Sequence, residues 1–162
     1  MFRSPTPTRS SSLASIASIP ESSTTPTLLF RAGASVFGCD TTNVQEIIPL
    51  RPATRLPGAP PYVRGLINIR GTIVTVLDLA VRLGAADEAA PNGSILLVQY
   101  HDRVVGLSVD EVVDVRPLEV ERDDAAASSG TGGGIVRGVA SVDDAAVVVL
   151  DLDALIQQVL LT

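Results

Sequence analysis

Few side chains in this 162-residue chain have the type and setting to do chemistry. His101, the single histidine, stands beside Asp102 in "HDR", which reads as a surface hairpin turn. No Ser or Cys nucleophile accompanies it in a recognisable arrangement, so a general base is not expected there. Cys39 is alone, with no CxxC partner and no neighbouring His, and reads as a buried structural residue. A lone Cys also excludes a disulfide framework and suits a reducing cytoplasm. Asp143-Asp144 and the pair Asp151 and Asp153 lack the one-apart spacing and closing Glu of a calcium loop, and read as a turn and a helix cap. "GTGGG" lacks the Lys-Ser/Thr of a phosphate loop. The expectation is a protein that is not an enzyme, with no catalytic residue, no metal and no cofactor.

What stands out instead is repetition. Val63-Arg64-Gly65 returns as Val136-Arg137-Gly138, 73 positions later, and the same offset carries Leu77-Asp78-Leu79 onto Leu150-Asp151-Leu152. A second match, "NVQEIIPLRP" with "SVDEVVDVRP", runs at an offset of 65 and pairs Val44 with Val109, Glu46 with Glu111, and Arg51-Pro52 with Arg116-Pro117. Two homologous all-β units follow. At some 60 residues, neither would bury much surface alone, so the two should pack on each other. One asymmetry marks the first copy, where Arg70-Gly71 occupies the hairpin position that Asp143-Asp144 takes in the second. A guanidinium placed beside an apolar strand is a candidate recognition group.

Composition agrees with this reading. The chain is 46% apolar but only 3% aromatic, without Trp, so Val, Ile, Leu and Ala must fill the core, and the β-branched share favours strands. A formal charge of −6, from 12 basic and 18 acidic residues, argues against nucleic acid as the partner. No apolar run approaches the ~20 residues of a spanning helix, so membrane insertion is not expected.

Residues 1–26, rich in Ser, Thr and Pro, read as a disordered tail, and residues 27–162 as one domain. Strands are expected at "TLLFRAG", "SVFGCD", "EIIPL", "LINIR", "TIVTVLDL", "SILLVQY", "RVVGLSV" and "VVDVRPLEV". "RGT" and "HDR" are tight hairpin connections, while "TTNVQE" and "DEV" read as helical turns. "DLAVRLGA" is a short helix capped by Asp78 and closed by Gly84. Residues 85–93 form a linker and residues 123–134 a flexible loop. The closing stretch "IVRGVASVDDAAVVVLDLDALIQQVLL" reads as two more strands and a final amphipathic helix that should bury Leu152, Leu155, Ile156, Val159 and Leu160. The strand count fits one small five-stranded barrel per half.

The ordered set "NVQEII", "LPGAPPYVRGLINIRGTIVTVLDL", "RVVGLSVDEVVDV" and a closing Leu-Asp-Leu helix resembles the CheW family of chemotaxis coupling proteins, from about Leu28 to Leu160. Its most specific part is "APPYVRGLINIRG". The resemblance implies an all-β fold of two packed five-stranded small β-barrels, intertwined, and a non-catalytic adaptor. Such an adaptor couples methyl-accepting chemoreceptors to the histidine kinase CheA in the cytoplasm, at membrane receptor arrays. Its partners would be the kinase's regulatory domain and the cytoplasmic tip of the receptors. Carried over position by position, Val44, Glu46, Gly65, Arg70, Ser94, Gly106, Val112 and Val115 are the partner-binding positions, with Arg70 near a receptor-facing groove between the barrels. Thr75 stands where the family usually has Pro, Ala80 where Arg is usual, and the long tail is atypical. These departures motivate an alternative, a coupler of a non-flagellar system such as twitching-pilus motility. A catalytic or ligand-binding domain that uses the inter-barrel groove as a pocket is a third reading, against which the single His and single Cys weigh.

Overall fold

The computed structural model describes residues 24–84, 93–121 and 134–160. Ten strands and two short helices run in order: β1 (Thr24–Ala32), β2 (Ser35–Asp40), a 3-10 turn (Thr41–Asn43), β3 (Val44–Pro49), β4 (Val63–Ile69), β5 (Thr72–Asp78), α1 (Leu79–Arg82), β6 (Ser94–Tyr100), β7 (Arg103–Val109), β8 (Glu111–Glu119), β9 (Val136–Val142), β10 (Ala145–Leu150) and α2 (Leu152–Leu160). The expected strands are present, with three local corrections. Strand β1 begins at Thr24, inside the stretch read as tail, because Thr24, Thr25 and Pro26 pair with Glu119, Leu118 and Pro117. "DEV" is not a helical turn: β8 starts at Glu111, where the backbone is held to β1. "TTNVQE" is helical only over Thr41–Asn43, capped by Asp40, and is strand from Val44. The loop at 123–134 lies outside the described residues except for Gly134, and the linker at 85–93 except for Gly93.

The strands form two five-stranded sheets. The central sheet, ordered β3-β6-β7-β5-β4, uses the middle of the chain, and the terminal sheet, ordered β9-β10-β2-β1-β8, uses both ends. All pairings are antiparallel except β5 with β7 and β10 with β2. The sequence halves are therefore not the structural halves. Hairpin β1–β2 of the first repeat sits among the strands of the second, and hairpin β6–β7 of the second sits among those of the first. The sheets are five-stranded as expected, but they are not continuous closed barrels. Each curls until its edges meet at one isolated bridge, Thr54 with Leu66 in the central sheet and Glu121 with Val139 in the terminal one.

Curling explains why several strands are apolar on both faces. In β6, Ile95 and Leu97 point into the curled central sheet, while Leu96 and Val98 point to the interface between sheets. In β1, Leu29 fills the terminal sheet, and Leu28 and Phe30 join the same interface. The core thus has three parts: one inside each sheet and a larger one between them. A residue exposed on neither face reads as a continuous hydrophobic run rather than an alternating one.

The repeated Leu-Asp-Leu marks a strand end, a cap and a helix start. Asp78 Oδ1 accepts from the Val81 amide at 3.2 Å and Asp151 Oδ1 from the Ala154 amide at 3.1 Å, satisfying amides that open each helix. Helix α2 buries Leu152, Leu155 and Ile156 between the sheets; Val159 packs at their edge. Leu160, expected to be buried, is 37% exposed because the helix runs past the core at its last turn.

Candidate functional site

The closure of each sheet depends on a glycine. Thr54 and Leu66 exchange backbone hydrogen bonds of 2.8 Å each way, as do Glu121 and Val139. A Cβ on Gly65 would stand 2.2 Å from the Thr54 carbonyl oxygen, and one on Gly138 would stand 2.3 Å from the Glu121 carbonyl oxygen. Gly65 also has φ +139, in the region other residues avoid. The two copies of Arg-Gly at an offset of 73 therefore mark the two points where backbone passes closest to backbone.

Beyond the bridge, the mouth of the central sheet is set by the β4–β5 hairpin. Ile69 pairs with Thr72, leaving Arg70 and Gly71 as a two-residue loop with φ 50 and 88, a type I′ turn. That turn swings Arg70 across the sheet opening, where its guanidinium donates to Glu46 Oε1 on β3. Arg70 keeps 70% of its side chain exposed. An exposed ion pair stabilises by only about 0–1 kcal/mol, and a non-glycine residue in the left-handed region costs about 1–2 kcal/mol. Folding alone does not favour Arg here.

The terminal sheet holds the same turn with different charges. Val142 pairs with Ala145, and Asp143 and Asp144 have φ 51 and 70. Strand register also aligns β3 with β8, and corrects the offset of 65 read from sequence. Val44 opposes Val98 and Val112 opposes Phe30, each next to a one-residue bulge, at Gln45 and at Val113. The structural counterparts are thus Val44 and Val112, Glu46 and Asp114, and Ile47 and Val115. In the terminal sheet the guanidinium comes from the strand, since Arg116 binds Asp114 at 2.9 Å and approaches Asp143 at 3.9 Å. That pairing lowers the Asp114 carboxyl below its ordinary range.

The eight residues singled out in the sequence do not form one cluster. Glu46 and Arg70 are joined, and Val44 lies next to them on β3. Val44 and Val112 are both half-buried and pack against the inter-sheet core. Val115 is 54% exposed on β8. Ser94 pairs with Pro49, at the far end of β3 from Val44. Gly106 is buried; a Cβ there would meet Ile95 Cγ2 at 3.0 Å and Val76 Cγ2 at 3.2 Å, inside the central sheet. The sequence pairing passes over Asp114 and the 41% exposed Ile47, which an offset of 68 would have brought into line with Glu46 and Val115.

Residues considered for chemistry are placed in structural settings. His101 lies in the exposed β6–β7 turn, edge-on to Tyr100 with ring centroids 4.3 Å apart. Cys39 is fully buried, and burial pushes its thiol up to about 12. Asp40 caps the 3-10 turn through Thr42 and meets Arg137 at 3.3 Å. Burial works to raise its pKa, but the Thr42 hydrogen bonds and Arg137 outweigh it, and the carboxyl is lowered. Asp153 accepts from Asn43 at 3.2 Å. Among the described residues, no group of three or more His, Cys, Asp or Glu is arranged to hold a metal ion.

The model of the CheW-like domain matches residues 26–160, which spans both sheets and both helices. The chain belongs to the CheW-like domain family. It is 34% identical over 135 residues to a probable chemotaxis protein CheW of Rhizobium etli, covering 81% of this chain and 86% of that protein. It is 35% identical over 133 residues to the chemotaxis protein CheW of Rhizobium meliloti, covering 78% and 84%. The crystal structure of the scaffolding protein TtCheW from Thermoanaerobacter tengcongensis superposes with a TM-score of 0.71 at 26% identity, over 78% of this chain and 88% of that one. This CheW-like chain is thus a β-rich chemotaxis adaptor, of a family that acts as a scaffold rather than a catalyst.

Proposed function

We propose that the chain couples methyl-accepting chemoreceptors to a CheA-type histidine kinase in the cytoplasm, at receptor arrays, wholly by binding. The observation that carries the placement of the site is Arg70. It is held in a left-handed turn that would accept Asp or Asn more readily, it is mostly exposed, and Glu46 orients it. Its neighbour Val44 packs against the inter-sheet core, as Val112 does, and Val115 adds exposed apolar surface on β8. A helical receptor tip laid on these residues would bury its apolar face there, with Arg70 and Glu46 fixing its orientation at the rim. Among the described residues no helix is long and apolar enough to cross a membrane, so the membrane association in this reading comes through the receptors.

Titrating the chain into the regulatory domain of a CheA-type kinase from the same genome, with and without a receptor-tip fragment, tests the proposal. Binding that tightens when the tip is present supports two surfaces on one coupler. Absence of binding to any such kinase overturns it.

A further inference from the structure

The two sheets differ at the end away from their left-handed turns, where β5 stops at Asp78 and β10 at Leu150, just before Asp151. Leu77 pairs with Leu107 and Leu150 with Cys39, so the residues that follow, Ser108 and Asp40, are counterparts. In the terminal sheet the Arg of Arg-Gly is answered there by a carboxylate, since Arg137 donates to Asp40 at 3.3 Å. That pair lines a cavity of about 370 Å³, and Asp40 keeps 23% of its side chain exposed. In the central sheet the matching place has only the hydroxyl of Ser108, which is fully buried.

Arg64 and Ser108 flank Asp78. The strands run β7-β5-β4, Asp78 is in register with Ser108, and Ser108 is also in register with Ile95, whose side chain points into the sheet. Asp78, 4% exposed, accepts from the Val81 amide at Oδ1, while its Oδ2 has a long contact of 3.4 Å with Arg64 Nη1. Oδ2 therefore has capacity to accept more. Arg64 Nε and Ser108 Oγ are both buried, and neither has a hydrogen-bond partner among the described residues. Burying such groups unpaired costs stability, so a polar residue held at full burial points to something that pairs with it. An anion could only accept, and would set a second negative charge against a buried carboxylate that one guanidinium already balances. Water can accept from Arg64 Nε, donate to Asp78 Oδ2 and bond Ser108 Oγ, within the two to four partners that a buried water uses.

We propose that a bound water joins Arg64, Asp78 and Ser108 at this end of the central sheet, in the role that the Asp40 carboxylate has for Arg137. The difference between the repeats follows from burial. Asp40 can be charged because its site reaches solvent, whereas a second carboxylate at the fully buried position would be costly, and a serine with a water supplies the same acceptor without the charge. The water ties β4 to β5 and β7 one residue from Gly65, and so supports the closure of the sheet at Thr54. It does not depend on the coupling role proposed above.

Two measurements on the full chain test this. A high-resolution crystal structure should show a solvent peak within hydrogen-bonding distance of Arg64 Nε, Ser108 Oγ and Asp78 Oδ2. Crystals grown with bromide should show no anomalous signal there; such a signal would make the ligand an anion and overturn the proposal. So would Ser108 Oγ and Arg64 Nε bonded directly to the protein with no solvent between them. Thermal unfolding of Ser108→Ala separates the alternatives by sign. If the hydroxyl is bridged, its loss should lower the midpoint by about 2–4 °C. If it is buried without a partner, removing it should leave the midpoint unchanged or raise it, and either result overturns the proposal.

Discussion

At the mouth of the central sheet, a left-handed turn holds Arg70 at φ 50, and the partner carboxylate comes from the strand as Glu46. At the mouth of the terminal sheet, the same turn holds Asp143 at φ 51, and the guanidinium comes from the strand as Arg116. Backbone geometry is common to both, while the sign of the charge at the tip is reversed. The central tip projects one cation balanced by one carboxylate. The terminal tip gathers Asp114 and Asp143 around a single Arg. A shared backbone with opposite charges separates what the fold needs from what recognition needs: the turn is needed twice, the exposed cation once.

The largest change expected comes from the feature the two mouths share. Gly65→Ala forces a Cβ against the Thr54 carbonyl and strains a positive φ, and should cost about 3–4 kcal/mol in denaturant unfolding. Gly138→Ala meets the equivalent clash without that φ, and a smaller loss of about 2–3 kcal/mol is expected. Equal losses would remove the distinction drawn between the two closures.

Arg70→Asp makes the central mouth resemble the terminal one. Losing an exposed ion pair is offset by a residue better suited to the left-handed region, so stability should change by less than about 1 kcal/mol while kinase and receptor binding weaken about tenfold. A large drop in the thermal midpoint would make Arg70 a structural residue. Arg116→Ala leaves Asp114 and Asp143 without their shared cation and should lower the thermal midpoint only slightly, a loss that added salt should reduce.

The smallest effect is expected from acid. The Asp40 and Asp114 carboxyls are lowered in the folded state, so each contributes stability that is fully present above its unfolded value, about 3.9, and is lost as pH falls through the lower folded value. Thermal midpoints measured from pH 5 downward should fall, and Asp40→Asn should flatten that slope slightly. A slope unchanged in Asp40→Asn would show that Thr42 and Arg137 do not favour its ionised form.

Much of this was legible in the chain. The offset of 73 reported two equivalent hairpins with their caps, because turns and caps are local and their residue types are demanded by backbone geometry. The asymmetry of Arg70 against Asp143 was legible for the same reason. The relation between β3 and β8 was misread by three residues, since "VQEII" and "VDEVV" look alike while strand register is decided by partners on other strands: Val98 for Val44 and Phe30 for Val112. Gly65 and Gly138 were visible as a repeat, but their function, admitting a carbonyl from a segment 11 to 17 residues away, exists only once the sheet has curled. The exchange of hairpins left no local trace at all.

That exchange has a consequence for how the chain is born. The central sheet uses residues 44 to 109 and can close as soon as β7 has emerged during synthesis, whereas hairpin β1–β2, made first, finds its neighbours only when β8, β9 and β10 have followed. The first hairpin of the domain is therefore among its last parts to be completed, with Leu28, Leu29 and Phe30 incompletely buried until those strands have been translated. A pause or truncation late in translation would leave that hairpin as an open edge, and the nascent chain is most prone to aggregate in that interval.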